Sequence, residues 1–190
     1  MRTFIAIELP QEIKDRLGQL QDKLKKCGAD VKWVEPKNIH LTLKFLGERD
    51  KKKIAQINEI IEETAKANDS FQARIVSIGA FPKIEFPRVI WLGIDKGNEE
   101  IKKIARELEE KIVKVGIPKE NRSFSSHISI GRLKSPLNKK ELVGELKNLA
   151  VNFGMENLEF AVRKITFFKS TLTPTGPIYE PLKEVNLRAT

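Results

Sequence analysis

Two short stretches of alternating polar and apolar residues constrain this chain more than any other feature. The first runs from Asn38 to Leu43 (Asn-Ile-His-Leu-Thr-Leu) and the second from Ser126 to Ile130 (Ser-His-Ile-Ser-Ile). They hold the two histidines of the chain, and a hydroxyl side chain follows each histidine by two positions. A period of two is typical of β-strands. The pattern therefore predicts two strands, each with an imidazole and a hydroxyl on one face and apolar side chains on the other.

The composition indicates a globular protein. Hydrophobic residues make up 40% and charged residues 32% of 190 residues, enough for one large domain or two small lobes. No apolar run reaches the roughly 18 residues of a membrane span, and the N-terminus enters a strand pattern directly. We expect a cytoplasmic protein without a membrane partner.

The cysteine and histidine content bears on metals and disulfides. One cysteine, Cys27, excludes an internal disulfide framework, and two histidines do not supply a cluster with transition-metal spacing. We therefore expect no metal, although the sequence leaves a site of histidine and carboxylate open.

The charge balance favours a polyanionic partner. The chain carries 35 basic and 26 acidic residues, a formal net charge of +9, which suits RNA. Abundant lysine and glutamate with few cysteines and methionines also fit a protein from a hot environment. The two explanations are compatible.

The remaining periodicities predict an α+β fold. Predicted helices run from Pro10 to about Cys27, from Asp50 past Ile61, and over residues 98–115 and 138–150. Predicted strands cover residues 2–9, 31–34, 39–46, 71–81, 88–95, 126–133, 153–162, 164–172 and 178–187, with residues 82–87 as the connection of a hairpin. Each half places an amphipathic helix before a histidine strand. This loose duplication predicts two lobes that bring the imidazoles together across a cleft.

On these residues the chain resembles a known family. His40-Leu41-Thr42-Leu43 and His127-Ile128-Ser129-Ile130 are similar to the paired His-x-Thr/Ser-x motifs of the 2H phosphoesterase superfamily. Residues 39–47, 87–93 and 170–179 are similar to segments of the bacterial and archaeal RNA 2′,3′-cyclic phosphodiesterases, historically called 2′-5′ RNA ligases. Ser129 stands where the family often has threonine, but the hydroxyl is kept.

The resemblance implies a fold and a reaction. The fold is one bilobal domain over residues 1–190, with two antiparallel-rich sheets, helices on the outside and two pseudo-twofold lobes around a central basic groove. The reaction is hydrolysis of an RNA 2′,3′-cyclic phosphate end to a 2′-phosphomonoester, with reversible 2′-5′ joining of RNA ends and no cofactor. By family analogy His40 is the proton donor and His127 the proton acceptor. RNA with a cyclic end, tRNA halves among the candidates, is the expected partner of a monomeric enzyme.

The residue chemistry agrees with this reaction. Opening a cyclic phosphodiester needs a base for the nucleophile and an acid for the departing ribose oxygen, on opposite sides of phosphorus. Two histidines can divide this work, although the sequence itself does not assign their roles. Thr42 and Ser129 are predicted to donate hydrogen bonds to the non-bridging phosphate oxygens. Their alternative role is strand packing.

Arg132 and Phe4 are further candidates for substrate binding. Strict alternation sends Arg132 to the face opposite His127, but Gly131 allows a bulge that turns the guanidinium towards the phosphate. A surface salt bridge is the alternative for Arg132. Phe4 is a candidate to stack on a base, with core packing as its alternative.

Two rival functions stay open at this point. The same two-histidine chemistry could act on a small cyclic nucleotide, such as an ADP-ribose cyclic phosphate, which turnover of mononucleotide and oligonucleotide substrates would distinguish. A non-catalytic RNA- or nucleotide-binding module is the other, and the presence of both complete motifs argues against it.

Overall fold

The computed structural model describes residues 1–156 and 158–190, which form four α-helices and two antiparallel sheets. The helices are α1 (Gln11–Lys25), α2 (Lys51–Lys66), α3 (Asn98–Lys114) and α4 (Lys139–Val151), with a short 3₁₀ turn at Pro36–Asn38. The strands are β1 (Arg2–Glu8), β2 (Val31–Trp33), β3 (His40–Glu48), β4 (Phe71–Lys83), β5 (Phe86–Ile94), β6 (His127–Leu133), β7 (Glu159–Val162), β8 (Lys164–Thr173) and β9 (Gly176–Asn186). The predicted α+β class is confirmed.

The two predicted histidine strands lie in different sheets. The first sheet has the order β3-β1-β8-β9 and the second has the order β2-β6-β5-β4-β7. β3 and β6 are in contact, so the sheets meet along the strands that carry the histidines. His40 and His127 are the first residues of these strands.

Strand β1 is apolar on both faces because it lies inside its sheet. Ile5 and Ile7 belong to the main core, together with the apolar side of α1. Phe4 and Ala6 point the other way and pack with Phe168 in a second, smaller cluster. The face of the first sheet that lies away from the main core is therefore also lined with apolar groups.

The helix signals in the sequence correspond to observed contacts. The Asp50 side chain accepts a hydrogen bond from the Lys53 backbone N–H at 2.8 Å, which is the predicted cap of α2. The apolar stripe of α3, with Ile101, Ile104 and Leu108, is buried. Among the described residues, no helix combines the length and the apolarity that crossing a bilayer requires.

Several predicted boundaries differ from the structure by one or more residues, among them those of three strand regions. β3 continues beyond the predicted end because Gly47 adopts a left-handed backbone (φ +70°) within the strand. The hairpin strands extend through Pro82 and Pro87, which lie opposite each other in the ladder. The strand predicted at 153–162 forms over Glu159–Val162, and residue 157 of that prediction lies outside the described residues.

Candidate active site

Burial separates the two faces of both histidine strands as the alternation predicts. In β3, Leu41 and Leu43 are buried at 0% and 4% exposure. In β6, Ile128 and Ile130 are both at 0%. Both histidines and the hydroxyl residues Thr42 and Ser129 are only partly buried, on the opposite faces. The predicted division into an apolar face and an imidazole-hydroxyl face is confirmed.

Each imidazole is held by the backbone two residues earlier. His40 Nδ1 lies 2.7 Å from the carbonyl oxygen of Asn38, and His127 Nδ1 lies 2.7 Å from that of Ser125. A carbonyl oxygen can only accept, so Nδ1 carries the hydrogen in both rings. Nε2 is therefore the nitrogen that can take up or release a proton in each histidine.

His40 lies in an aromatic surrounding. Its Nε2 is 2.9 Å from Thr42 Oγ1. The Phe4 ring is 4.9 Å away between centroids, and Tyr179 meets the imidazole edge-on at 5.4 Å. Together with the Asn38 carbonyl, these three neighbours fix the orientation of the ring.

The charge of His40 is disfavoured in the unliganded protein. Burial lowers the pKa of His40, and the positive charge of Lys14 lowers it further. The hydrogen bond to Asn38 and the negative charge of Glu8 act in the opposite direction. The net result is a pKa below the ordinary histidine value of 6.5.

His127 has a more open surrounding on the second sheet. Phe81 meets its ring edge-on at 5.1 Å and is stacked on Trp91 at 5.2 Å. Trp91 is the cross-strand partner of Ser129, so imidazole, hydroxyl and both aromatic rings share one face. Sequence reasoning missed Phe81.

A bulge in β6 brings Arg132 to this face. Ser129 pairs with Trp91 and Gly131 with Ile90, so Ile130 has no partner in the ladder. Alternation restarts after it, and Arg132 lies opposite Val89, on the Trp91 side. The predicted bulge is confirmed. The arginine ion pairs among the described residues involve Arg74 and Arg188, and the exposed Arg132 forms none.

A corresponding bulge in β3 was not predicted. Thr42 pairs with Ala6 and Lys44 with Ile5, so Leu43 has no partner. Lys44 turns to the core side, where its side chain is 3% exposed and its Nζ lies 2.7 Å from Glu109. Phe45 returns to the His40 face and is 63% exposed.

Gln21 is a buried polar residue that the sequence analysis missed. It is 1% exposed on α1, and its Nε2 donates to the carbonyl oxygens of Val34 at 2.7 Å and Ile130 at 2.9 Å. The latter is the carbonyl of the bulged residue, next to Ser129. Gln21 follows Leu17 by four positions, so its place on the apolar stripe was the available signal.

Asn38 and Lys14 support the first motif and were also missed. The Asn38 side chain donates to the Pro177 carbonyl oxygen at 3.1 Å while its own carbonyl holds His40. Lys14, 9% exposed, donates to the Lys37 carbonyl oxygen at 2.9 Å. Their signals in the sequence are those of ordinary surface residues.

Phe4 lies beside the site but within the smaller cluster. It is 4% exposed and stacked on Phe168 at 5.1 Å. Tyr179 meets its ring edge-on at 4.9 Å. This burial favours the alternative of core packing, and base stacking by Phe4 stays a prediction.

A cleft with cationic side chains lies near the end of β3. This open cleft of about 610 Å³ begins at Phe45 and is lined by Arg49, Lys119 and Arg122, with Glu120 beside Lys44. In the described part of the chain, no three histidine, cysteine or acidic side chains gather closely enough to hold a metal ion. The site is therefore an imidazole-hydroxyl surface, and the cleft with its three cationic side chains lies farther along β3.

A protein-family comparison finds the motif pair as a repeat. The family described as LigT-like phosphoesterase matches residues 7–91 and again residues 92–179. Each matched segment contains one of the two histidine motifs.

Curated relatives match over nearly the full length. The RNA 2′,3′-cyclic phosphodiesterase of Methanothermobacter thermautotrophicus is 35% identical, covering 98% of this chain and 99% of the relative. The protein of the same name from Methanocaldococcus jannaschii is 38% identical, covering 97% and 99%.

Solved structures share the fold. A protein of Thermus thermophilus superposes with a TM-score of 0.81 at 27% identity, covering 100% of this chain and 99% of that one. Escherichia coli LigT in complex with 3′-AMP has a TM-score of 0.78 at 25% identity, covering 98% and 97%.

Proposed function

This chain belongs to the LigT-like phosphoesterase family, and from that premise we propose that it hydrolyses RNA 2′,3′-cyclic phosphate ends to 2′-phosphomonoesters by two-histidine acid-base catalysis. The observation that carries this proposal is the matched geometry of His40 and His127. Both have Nδ1 tied to a backbone carbonyl, which leaves both Nε2 atoms for proton transfer, on strands that contact each other. The names of the full-length relatives support the RNA cyclic end as the substrate.

The proposed reaction transfers one proton at each histidine. His127 Nε2 takes a proton from water as the water oxygen bonds to phosphorus. The P–O3′ bond breaks, and His40 Nε2 gives its proton to O3′. The product is a 2′-phosphate with a free 3′-hydroxyl, and neither step requires a metal or a cofactor.

The proposed acid must be protonated when substrate is bound. Burial lowers the pKa of His40 in the unliganded protein, which opposes this role. A phosphate anion next to Nε2 acts the other way, because a nearby negative charge favours imidazolium. Substrate binding itself therefore charges the acid. Before the phosphate arrives, the neutral Nε2 of His40 accepts a hydrogen bond from the Thr42 hydroxyl at 2.9 Å.

Thr42, Ser129 and Arg132 are proposed to bind the phosphate oxygens. The two hydroxyls share faces with the two imidazoles, and Arg132 is brought to the Ser129 face by the bulge. Preorganised donors of this kind each contribute about 10²–10³-fold to turnover. Arg132 adds a charge-assisted contact. It is available for this contact because it forms no ion pair within the described residues.

The surroundings favour RNA over a small cyclic nucleotide. The cleft that begins at Phe45 carries Arg49, Lys119 and Arg122, which can contact the phosphates of preceding nucleotides. The net charge of +9 acts in the same direction. We therefore expect an oligonucleotide with a cyclic end to be turned over with a lower KM than the mononucleotide, and more so at low salt.

Reversible 2′-5′ joining of RNA ends is the second proposed activity. It follows the same path with a 5′-hydroxyl in place of water, since His127 can deprotonate either nucleophile. One domain whose two sheets form the two walls is sufficient for both reactions, and we propose that it acts as a monomer.

The test is turnover of a short RNA ending in a 2′,3′-cyclic phosphate, with chelator present and the 2′- and 3′-phosphate products resolved. We expect the 2′-phosphate as the only product. His40→Ala and His127→Ala should each lose at least about 100-fold, because one positioned acid or base contributes about 10²–10⁴-fold.

RNA binding by the same variants separates the alternatives. The catalytic proposal predicts that both bind the RNA but fail to open the cyclic end. No turnover by the wild-type protein, or turnover that persists in both variants, would instead favour a non-catalytic binding module.

A further inference from the structure

Hydrolysis requires nothing on the His127 side beyond the base and a water molecule, yet the structure has an aromatic surface there. Phe81 lies 5.1 Å from His127 and stays 37% exposed although one face of its ring is stacked on Trp91. Resting on the proposed function, we infer that Phe81 and Trp91 form an acceptor subsite. In this subsite, the base of an RNA nucleoside stacks on the aromatic rings, and the 5′-hydroxyl of that nucleoside replaces water as the nucleophile.

Trp91 can occupy its position because two neighbouring residues on the same face are glycines. A Cβ at Gly79 would lie 2.5 Å from the Trp91 ring. A Cβ at Gly93 would lie 2.4 Å from Ser77 Oγ and 3.2 Å from the Trp91 ring. The strands can therefore hold the indole flat only because both positions lack a side chain.

The indole is held by packing and not by a hydrogen bond. Trp91 Nε1 is buried and has no hydrogen-bond partner among the described residues. Leaving a buried donor unpaired is costly, so this position is not explained by the N–H group. What the packing secures is the flat support behind Phe81.

The chemistry assigns this surface to the nucleophile. The proposed base is His127, so the attacking oxygen must approach from its side of phosphorus. In joining, O5′ bonds to phosphorus, the P–O3′ bond breaks, the O5′ proton goes to His127 Nε2, and O3′ takes the proton of His40. A 2′-5′ linkage and a 3′-hydroxyl result, so atoms and charge balance. A base stacked on Phe81 would hold the 5′-hydroxyl close to His127.

The experiment compares joining with hydrolysis in the same reaction. The substrate is a short RNA with a 2′,3′-cyclic end, and the acceptor is a second RNA with a 5′-hydroxyl at increasing concentration. Phe81→Leu keeps an apolar side chain against Trp91 and removes the ring face. Stacking of one base is worth roughly tenfold or more in binding. We expect the ratio of joined to hydrolysed product to fall about tenfold, with hydrolysis within about twofold of the wild-type rate.

Phe86→Leu is the matched control. Phe86 lies at the end of the same hairpin, is 58% exposed and has Lys83 and Lys139 over its ring. Its substitution should leave the product ratio unchanged.

Two results would overturn the inference while leaving hydrolysis as proposed. One is an unchanged ratio of joined to hydrolysed product in Phe81→Leu, whether or not both products fall together. The other is a wild-type protein that hydrolyses the cyclic end but joins no acceptor. Absence of hydrolysis by the wild type would instead overturn the proposed function itself.

Discussion

The two histidine motifs start alike and diverge after the hydroxyl. Both have a histidine bound to the carbonyl two residues before it, a hydroxyl two residues after it and a bulge directly after the hydroxyl. Four positions after the histidine, β3 has Lys44 buried against Glu109, whereas β6 has Gly131. Five positions after it, β3 exposes Phe45 and β6 exposes Arg132.

The two walls share the histidine, the hydroxyl and the bulge, and they differ in the two residues that follow the bulge. After the bulge, the residue that faces the interior is the charged Lys44 in β3 and Gly131, which has no side chain, in β6. A Cβ at Gly131 would lie 2.8 Å from Val31 and 2.9 Å from Trp33. The position that turns outwards provides an aromatic ring on one side and a cation on the other. The shared part holds the proposed acid, base and hydroxyl donors, whereas the divergent part adds Phe45 beside the cleft on one wall and Arg132, the proposed phosphate ligand, on the other.

The largest effect is expected from breaking the buried ion pair behind β3. Glu109→Gln leaves the Lys44 ammonium in the core with the more exposed Glu120 at 3.6 Å as its remaining ion-pair partner, and with the Pro118 carbonyl oxygen at 3.5 Å. Removing the nearer partner of a buried charge costs about 3 kcal/mol of unfolding free energy. Chemical denaturation should detect this loss.

The Lys44→Met/Glu109→Gln double variant is its control. It removes the charge that was left unpaired while keeping an acceptor for the Glu120 backbone N–H, which Glu109 accepts at 2.7 Å. It should recover most of the stability. A double variant as unstable as Glu109→Gln would mean that packing, and not charge, holds this wall.

A smaller effect is expected from replacing Gln21, whose uncharged side chain supports β6. Gln21→Met removes both hydrogen bonds to Val34 and Ile130 and should cost about 1–3 kcal/mol of unfolding free energy. It also loosens the bulge that orients Arg132, so turnover of the cyclic RNA end should fall in the folded protein. Gln19→Met, on the exposed side of the same helix, should change neither property.

A double-mutant cycle tests whether Gln21 acts through Arg132. In an Arg132→Met background, Gln21→Met should cost little further turnover, because the group that it positions is already gone. Strict additivity of the two losses would show that Gln21 supports only the fold.

The smallest effect concerns the proton affinity of His40. Lys14→Met removes a positive charge that disfavours imidazolium, so the pKa of His40 should rise towards its ordinary value. Glu8→Gln removes a favourable negative charge and should lower the pKa of His40 further. NMR titration in a His127→Ala background leaves one imidazole to observe. Shifts in the same direction for both variants would contradict the electrostatic account.

The sign of the activity change follows from these shifts. An acid must carry its proton, so a higher pKa of His40 extends activity to higher pH. The same group affects stability, because the unfolded chain binds a proton more readily than buried His40 does. Stability should therefore rise with pH between the lowered folded pKa and the ordinary value, and Lys14→Met should weaken that dependence.

The sequence predicted the elements and the faces of the histidine strands because alternation and helical periodicity are local properties. It placed His40, Thr42, His127 and Ser129 on polar faces, and Gly131 signalled one bulge. It could not place Lys44, because the bulge in β3 has no glycine at the turning point and becomes visible only in the pairing with β1. Gln21 was missed for a similar reason, since its partners are backbone carbonyls that the fold brings to it.

The order in which the first sheet is assembled has a consequence during translation. β1 lies between β3 and β8, and Thr3 pairs with Lys169. Asn38, whose carbonyl fixes His40, is itself tied to Pro177. A nascent chain on the ribosome therefore has no complete His40 wall until β8 and Pro177 have emerged. The sheet that carries His127 needs only strands up to β7, so the wall of the proposed acid is the one that is completed later.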